Sequence, residues 1–245
     1  MTIEIVSYYH GLSDALRLNL TSNIINSSKS DLLLFSGHTI GFVNDIEVLK
    51  DLITNKTIEV VFELENINTD KIRNCLYRIT KGQLINLYTN QILTQSSDIE
   101  GNYQLADRLL HEFETNRTFS INGISVLIIQ CGEINILKNI QSEDNRVEFR
   151  LSDDKSLLER FNDILSKTKI ILNPIHTPMG NQGKMLKRRE FLSQNKRYYF
   201  SSCNTKENSH NIDIKSLQYA FFNSTLLTNV DIQRTEYSIS RIYEI

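Results

Sequence analysis

Residues 123–135 read GISVLIIQCGEIN, and the place of Cys131 in that run decides how the chain is read. Ile124 to Ile129 are almost all apolar and follow the turn signal Asn122-Gly123, which predicts a buried β-strand. The run breaks at Gly132, and Glu133 stands two residues past the thiol. In open α/β folds chemistry gathers where strands end and loops begin. A thiol on such a turn, backed by a carboxylate, is where a nucleophilic cysteine is placed. The alternative is a small buried hydrophobe, the usual state of a free cysteine.

Outward from this strand the elements alternate. Strands are expected over Ile3 to Tyr8, Asp31 to Phe35, Ile58 to Leu64, Ile170 to Leu172 and Tyr198 to Ser202. Helices are expected from a Ser13-Asp14 cap through Ile25, and over Asp45 to Ile53, Leu105 to Phe113, Leu157 to Leu165 and Lys184 to Asn195. Asn74 to Ile79 and Gln83 to Tyr88 flank Lys81-Gly82 and predict a β-hairpin. Residues 141–160 read as a surface loop leading into a helix, and two more strand-like runs follow Leu217. The pattern is α/β, with hairpins that make the sheets mixed. No linker, repeat or low-complexity tract interrupts residues 1–245, so a single domain is expected. The glycine-rich turn of dinucleotide-binding folds and the phosphate-cradling loop are both absent from the sequence.

Composition narrows the function classes. Hydrophobic residues make up 40% and charged residues 23% of the 245, an ordinary globular balance. A net charge of −2 gives no general attraction to nucleic acid or acidic membranes. Cys75, Cys131 and Cys203 are odd in number and lack metal-ligand spacing, as do the five histidines, so neither a cofactor nor a metal is expected. Reduced thiols, and an N-terminal stretch without a basic segment leading into an apolar one, predict a cytoplasmic protein.

Several segments together resemble, in order, the nitrilase or carbon-nitrogen hydrolase superfamily. DLLLFSG (31–37) resembles the strand that ends in Pro-Glu, and YRITKGQLINLYTNQIL (77–93) the hairpin leading to Tyr-x-Lys-x-x-Leu. NGISVLIIQCGEIN (122–135) resembles the strand that ends in Cys-x-Glu or Cys-x-Asp. IILNPIHTPMG (170–180) is similar to a pocket-shaping strand-end loop, and KRREFLSQNKRYYFSSCN (187–204) to the late Arg-bearing helix and the strand after it. The resemblance implies a four-layer α-β-β-α sandwich, pairing into homodimers, and a small amide-like ligand. It also implies a catalytic trio: a glutamate base, a lysine that supports the oxyanion, and a cysteine that attacks the carbon.

Carried over residue by residue, the cysteine falls on Cys131 and the acidic residue beyond it on Glu133. The glutamate position falls on Gly37 and the lysine position on Asn90. Glycine takes no proton, and asparagine brings no charge to an oxyanion. Two classes of function follow. In one, the chain is a non-catalytic scaffold for a ligand or a protein partner. In the other, Cys131 remains the nucleophile of a hydrolase or amidase and a non-standard base, His38 or His176, activates it. The loss of two interdependent groups weighs toward the scaffold. Glu133 is expected to bond backbone at the cysteine turn. Glu63 and Glu65 flank the end of a strand, where they either reach a pocket or, as alternating strand carboxylates more often do, face solvent. Lys184, Lys187, Arg188 and Arg189 read as a solvated helix face.

Overall fold

A computed structural model describes residues 1–41, 46–68, 71–176, 178, 182–205 and 216–245. Asp45, expected to open a helix, and most of 177–181, expected in a pocket loop, lie outside the described residues, as does the side chain of Glu65. The strands are β1 (Thr2–Tyr8), β2 (Leu32–Phe35), β3 (Glu59–Asn68), β4 (Lys71–Thr80), β5 (Gln83–Asn90), β6 (Thr118–Ile121), β7 (Ile124–Ile128), β8 (Leu137–Ile140), β9 (Arg146–Phe149), β10 (Ile170–Ile175), β11 (Tyr198–Cys203), β12 (Gln218–Phe222), β13 (Thr225–Leu226), β14 (Asp231–Arg234) and β15 (Ser238–Glu244). The helices are α1 (Asp14–Ser27), α2 (Glu47–Leu52), α3 (Ser96–Ile99), α4 (Tyr103–Thr115), α5 (Lys155–Lys167) and α6 (Gln182–Leu192).

Two mixed sheets carry the fold. One runs β14-β15-β1-β2-β3-β4-β5 and the other β13-β12-β11-β10-β7-β6. Strand alternation sends every second side chain to each face, and three apolar clusters show where those faces go. Ile3, Ile5, Leu34 and Val61 of the first sheet meet Val126, Ile128, Leu172 and Phe200 of the second, so the sheets stack face to face. Val6, Leu33, Phe35, Val60 and Phe62 turn the other way and pack against Ile25 of α1 and Leu49 of α2. Leu127, Ile171 and Tyr199 point outward from the second sheet to Leu109, Phe113, Phe161, Met185 and Leu192 of α4, α5 and α6. The result is an α-β-β-α sandwich.

Local chemistry sets the element ends. Ser13 caps α1 by accepting a bond from the Leu16 N–H at 3.3 Å. Lys81 and Gly82 both have positive φ, 51° and 71°, as a two-residue hairpin between β4 and β5 requires. The C-terminal segment forms four strands rather than two, and β15 lies antiparallel to β1, so β1 is interior to its sheet. Residues 141–160 are not a plain loop. Arg146–Phe149 pairs with Leu137–Ile140 as a small separate sheet, because Val147 and Phe149 each have an apolar cluster to join.

A polar seam joins the sheets above their apolar interior. Ser7 and Ser202 hydroxyls meet at 2.9 Å, and the Gln218 amide donates to Ser7 Oγ and to the carbonyls of Ile5 and Ile239. Asn204 accepts from the Tyr8 N–H and the Ser36 hydroxyl and donates to the Gly37 carbonyl at 3.0 Å. No helix among the described residues is long and apolar enough to cross a membrane.

Candidate active site

Cys131 opens a short 3-10 helix, Cys131–Ile136, immediately past the end of β7. The preceding backbone is still fixed to the sheet: Ile129 N–H donates to Leu172 O at 2.9 Å, and the Asn173 amide donates to Ile129 O at 2.5 Å. Glu133 then closes the turn. Its carboxylate accepts from the N–H groups of Gln130 at 2.9 Å and Ile92 at 2.8 Å and pairs with Arg117, both side chains being fully buried. Arg117 in turn donates to Asn90 O at 2.7 Å and to Thr89 Oγ1 at 3.1 Å, fastening the end of β5 to the cysteine turn. A Cβ on Gly132 would lie 2.4 Å from Thr94 Cα and 2.5 Å from Leu93 O, so only glycine lets this turn lie against that backbone.

His176 follows β10 and reaches the thiol. Its Nε2 is 3.0 Å from Glu63 Oε2, and Cys131 is its second side-chain hydrogen-bond neighbour. Burial works against a charged imidazole here. The hydrogen bonds and charges of Cys131 and Glu63 outweigh it and push the His176 pKa up to about 10. Glu63 is 0% exposed. Burial would raise its pKa, yet the bonds from His176 and Gln130 and the charge of the histidines hold it below the ordinary carboxylate range. Its Oε1 accepts from the Gln130 amide at 2.8 Å, and its Oε2 also accepts from the His38 N–H at 3.2 Å.

The expectation that Glu63 faces solvent is therefore corrected. On β3, Val60, Phe62 and Leu64 take the helix-facing side. Glu63 shares the opposite side with Val61, which belongs to the interior between the sheets. Val61 shares that phase with Glu59, Glu63 and Glu65, so alternation alone favours solvent for this face, and the stacking of the second sheet decides otherwise. The loop 36–40 is pinned above it. Thr39 Oγ1 accepts from the Glu63 N–H at 3.1 Å and donates to Ser36 O at 2.6 Å.

His38, in the left-handed region at φ 51°, stacks its ring on that of His176, with centroids 3.8 Å apart and planes 22° from parallel. Its carbonyl accepts from Arg17 at 2.7 Å. Gly37 donates its N–H to Ile175 O at 3.0 Å, and a Cβ there would fall 2.3 Å from His176 Cδ2. The Asn90 side-chain oxygen accepts from Cys75 Sγ at 2.7 Å. Cys131, Gly37, His38 and His176 thus gather, and Glu133 braces them from beneath, while the Asn90 amide is turned toward Cys75.

The basic helix also departs from expectation, because Arg188 and Arg189 are buried rather than solvated. Arg188 donates to Asn135 Oδ1, Asn139 Oδ1 and Ile134 O, tying α6 to the far end of the cysteine turn. Burial and the nearby Arg150 charge lower its pKa to about 10. Among the described residues, no cluster of histidine, cysteine and carboxylate groups could hold a metal ion.

No protein-family model matches the sequence, and no curated protein is similar to it. Solved structures do match. An amidase from Nesterenkonia sp. AN1 superposes with a TM-score of 0.58 at 9% identity, covering 100% of this chain and 92% of the amidase. A CN-hydrolase superfamily protein of Xanthomonas campestris, with an arsenic adduct in its active site, gives 0.55 at 11% identity over 100% of this chain and 91% of its own. A glutamine-dependent NAD(+) synthetase from Cytophaga hutchinsonii gives 0.56 at 11% identity, over 93% of this chain and 40% of the synthetase. Those likenesses rest on the stacked sheets and their helical layers, and the chain has the fold of the nitrilase, or carbon-nitrogen hydrolase, superfamily.

Proposed function

We propose that the chain is a divergent member of that superfamily that hydrolyses a small amide, with Cys131 as nucleophile and His176 as its base. The observation that carries this reading is the placing of His176 between the Cys131 thiol and the buried Glu63 carboxylate. In this reading Gly37 stands where relatives hold glutamate and Asn90 where they hold lysine. The two changes are compensated together. An imidazole fills the space beside Gly37, and the charge it holds balances a thiolate without a lysine.

The proton inventory is simple. With Nε2 given to Glu63, the other ring nitrogen is left to take the thiol proton, forming a thiolate beside an imidazolium. The thiolate attacks the amide carbon, and the imidazolium returns its proton to the departing nitrogen. The C–N bond breaks, leaving a thioester on Cys131. Water then attacks with His176 as base, the C–S bond breaks, and the acid leaves. Positioned acid-base groups of this kind contribute roughly 10²- to 10⁴-fold in rate. His38 and Gln130 act as positioning residues, one stacked on the imidazole and the other bonded to its carboxylate. One neighbour bears on this: in a variant of the Nesterenkonia amidase, acrylamide adds to the active-site cysteine.

The scaffold reading draws its support from Asn90, whose engagement with Cys75 leaves no charge at the lysine position. Alkylation of Cys131 separates the two. The hydrolase reading expects iodoacetamide to modify Cys131 at pH 6–7 faster than a model thiol, His176→Ala to remove that excess, and mass spectrometry to find an acyl adduct from short amides. Reaction no faster than a model thiol would sink it. The homodimer belongs to the same proposal and is checked by light scattering.

A further inference from the structure

His38 keeps a backbone that residues with a side chain seldom adopt, at φ 51°. Such a conformation persists where the surroundings over-determine it, and it gathers at functional sites. Here the two peptides that flank the His38 Cα are each held by a charged group. On one side the His38 N–H donates to Glu63 Oε2 at 3.2 Å, the same oxygen that His176 Nε2 meets at 3.0 Å. On the other the His38 carbonyl accepts from Arg17 Nη1 at 2.7 Å. The arginine bond is the shorter of the two, and hydrogen bonds from an ionised donor are the stronger kind.

Arg17 reaches this loop from a helix that is itself fixed. It stands one turn past the Ser13 cap, its N–H donating to Ser13 O at 2.9 Å. Its own carbonyl accepts from Thr21 Oγ1 at 2.7 Å, and that hydroxyl meets the Tyr8 hydroxyl of β1 at 2.8 Å. Tyr8 is fully buried, so α1 is bolted to the first sheet one turn beyond Arg17. What the clamp holds is a ring. The His38 imidazole lies over that of His176 with centroids 3.8 Å apart. Glu63 already fixes the Nε2 corner of His176, and Gly37 crowds its Cδ2. The His38 ring closes one face. An imidazole held at a corner, an edge and a face cannot tilt about its carboxylate bond, so its second nitrogen stays beside the sulfur. Were the His38 backbone to relax to negative φ, its Cβ would swing away and the covering ring would go with it.

We propose that Arg17 is a positioning residue: by holding the His38 carbonyl it keeps the His38 ring over His176, and through that stack it keeps the imidazole aimed at the Cys131 thiol. The proposal rests on the reading of Cys131 and His176 as the reacting pair. Arg17 acts through His38 and takes no part in the proton transfer itself.

The test is a double-mutant cycle of Arg17→Met and His38→Ala, read by Cys131 alkylation with iodoacetamide and by the proton NMR signals of the His176 ring. In the parent chain the His38 ring current shields the His176 ring protons, and His38→Ala is expected to move them downfield. Arg17→Met is expected to give the same move. It loosens the imidazole without displacing its carboxylate, so alkylation at pH 7 should slow on the order of tenfold, less than the ~100-fold of a 1 Å misplacement. On the His38→Ala background, Arg17→Met should change neither signal nor rate further, because the two residues act as one unit. An arginine that merely steadied α1 would lower the melting temperature and leave the His176 protons where they are. His176 protons at the parent position in folded Arg17→Met, a parent alkylation rate, or a further loss on the His38→Ala background would overturn the proposal. Should Arg17→Met not fold, Arg17→Gln, shorter and uncharged, replaces it under the same criteria. Fast Cys131 alkylation that ignores Arg17 sinks the positioning role alone. A His176 signal that follows Arg17 in a chain whose Cys131 reacts no faster than a model thiol sinks the hydrolase reading alone.

Discussion

Gly37→Ala adds one methyl group, and the structure says where it goes. Its carbon would stand 2.3 Å from His176 Cδ2, 2.9 Å from Ile175 C and 3.0 Å from His176 N. Gly37 does not hold a left-handed φ, so alanine strains nothing in its own backbone and the effect is steric. Two of the three atoms struck are backbone, so the imidazole cannot simply rotate aside. Opening the closest contact to an ordinary 3.4 Å moves the ring by about 1 Å relative to Cys131. Misplacement of that size costs on the order of 100-fold in a positioned reaction, and overpacking costs about 1–3 kcal/mol of stability. Alkylation by iodoacetamide at pH 7, with each cysteine followed by peptide mass spectrometry, reads the rate directly. Cys75, bonded to Asn90, serves as the internal reference. The Cys131 rate should fall about 100-fold while the Cys75 rate holds. A folded Gly37→Ala chain whose Cys131 reacts at the parent rate would refute the claim that His176 activates the sulfur from the space beside Gly37.

Glu63→Gln keeps the shape but removes the charge that favours the imidazolium. The rate of Cys131 alkylation at pH 6 should fall tenfold or more. The same pair makes stability depend on pH. His176 is raised from 6.5 to about 10, so its contribution is complete below about 6.5 and is lost as pH climbs through 10. Glu63 is lowered from 4.5, so its contribution is present above 4.5 and is lost as pH falls beneath that value. The thermal midpoint should therefore peak between about pH 4.5 and 6.5, and His176→Gln should flatten the alkaline limb; an unchanged limb counts against the coupling. Arg117→Ala leaves Glu133 buried and unpaired and should cost about 3–5 kcal/mol in urea unfolding. A loss under 1 kcal/mol would mean the pair does not hold the cysteine turn.

The sandwich was readable because its strands obey simple rules. Leu32 to Phe35 and Val126 to Ile128 are apolar runs buried on both faces, and Lys81-Gly82 is a turn whose backbone angles follow from its residues. Cys131 and His176 were readable as strand-end residues. Glu63 was not, because a carboxylate inside a strand usually faces water and Glu59 and Glu65 share its phase. Arg189 was misread for a related reason. Charge density along a helix suggests a wet surface, while burial depends on which side the second sheet covers, and that is a tertiary fact. The short strands β8 and β9 were hidden by their polar residues, since their pairing depends on Leu137, Val147 and Phe149 reaching a cluster built by distant helices.

The proposed trio is divided between the two sheets. Cys131 and His176 extend from β7 and β10, whereas Glu63 belongs to β3 on the opposite layer. Apolar contact between layers is indifferent to sliding, because it has no direction. The bonds of Ser7, Ser202, Gln218 and Asn204 do have direction, and they act as a clutch between the plates. A slip of one ångström would leave the oily interior nearly as content as before, yet it would part the imidazole from its carboxylate. Reactivity of the sulfur is thus a gauge of plate alignment, and lesions in the clutch should silence it well before the molecule melts.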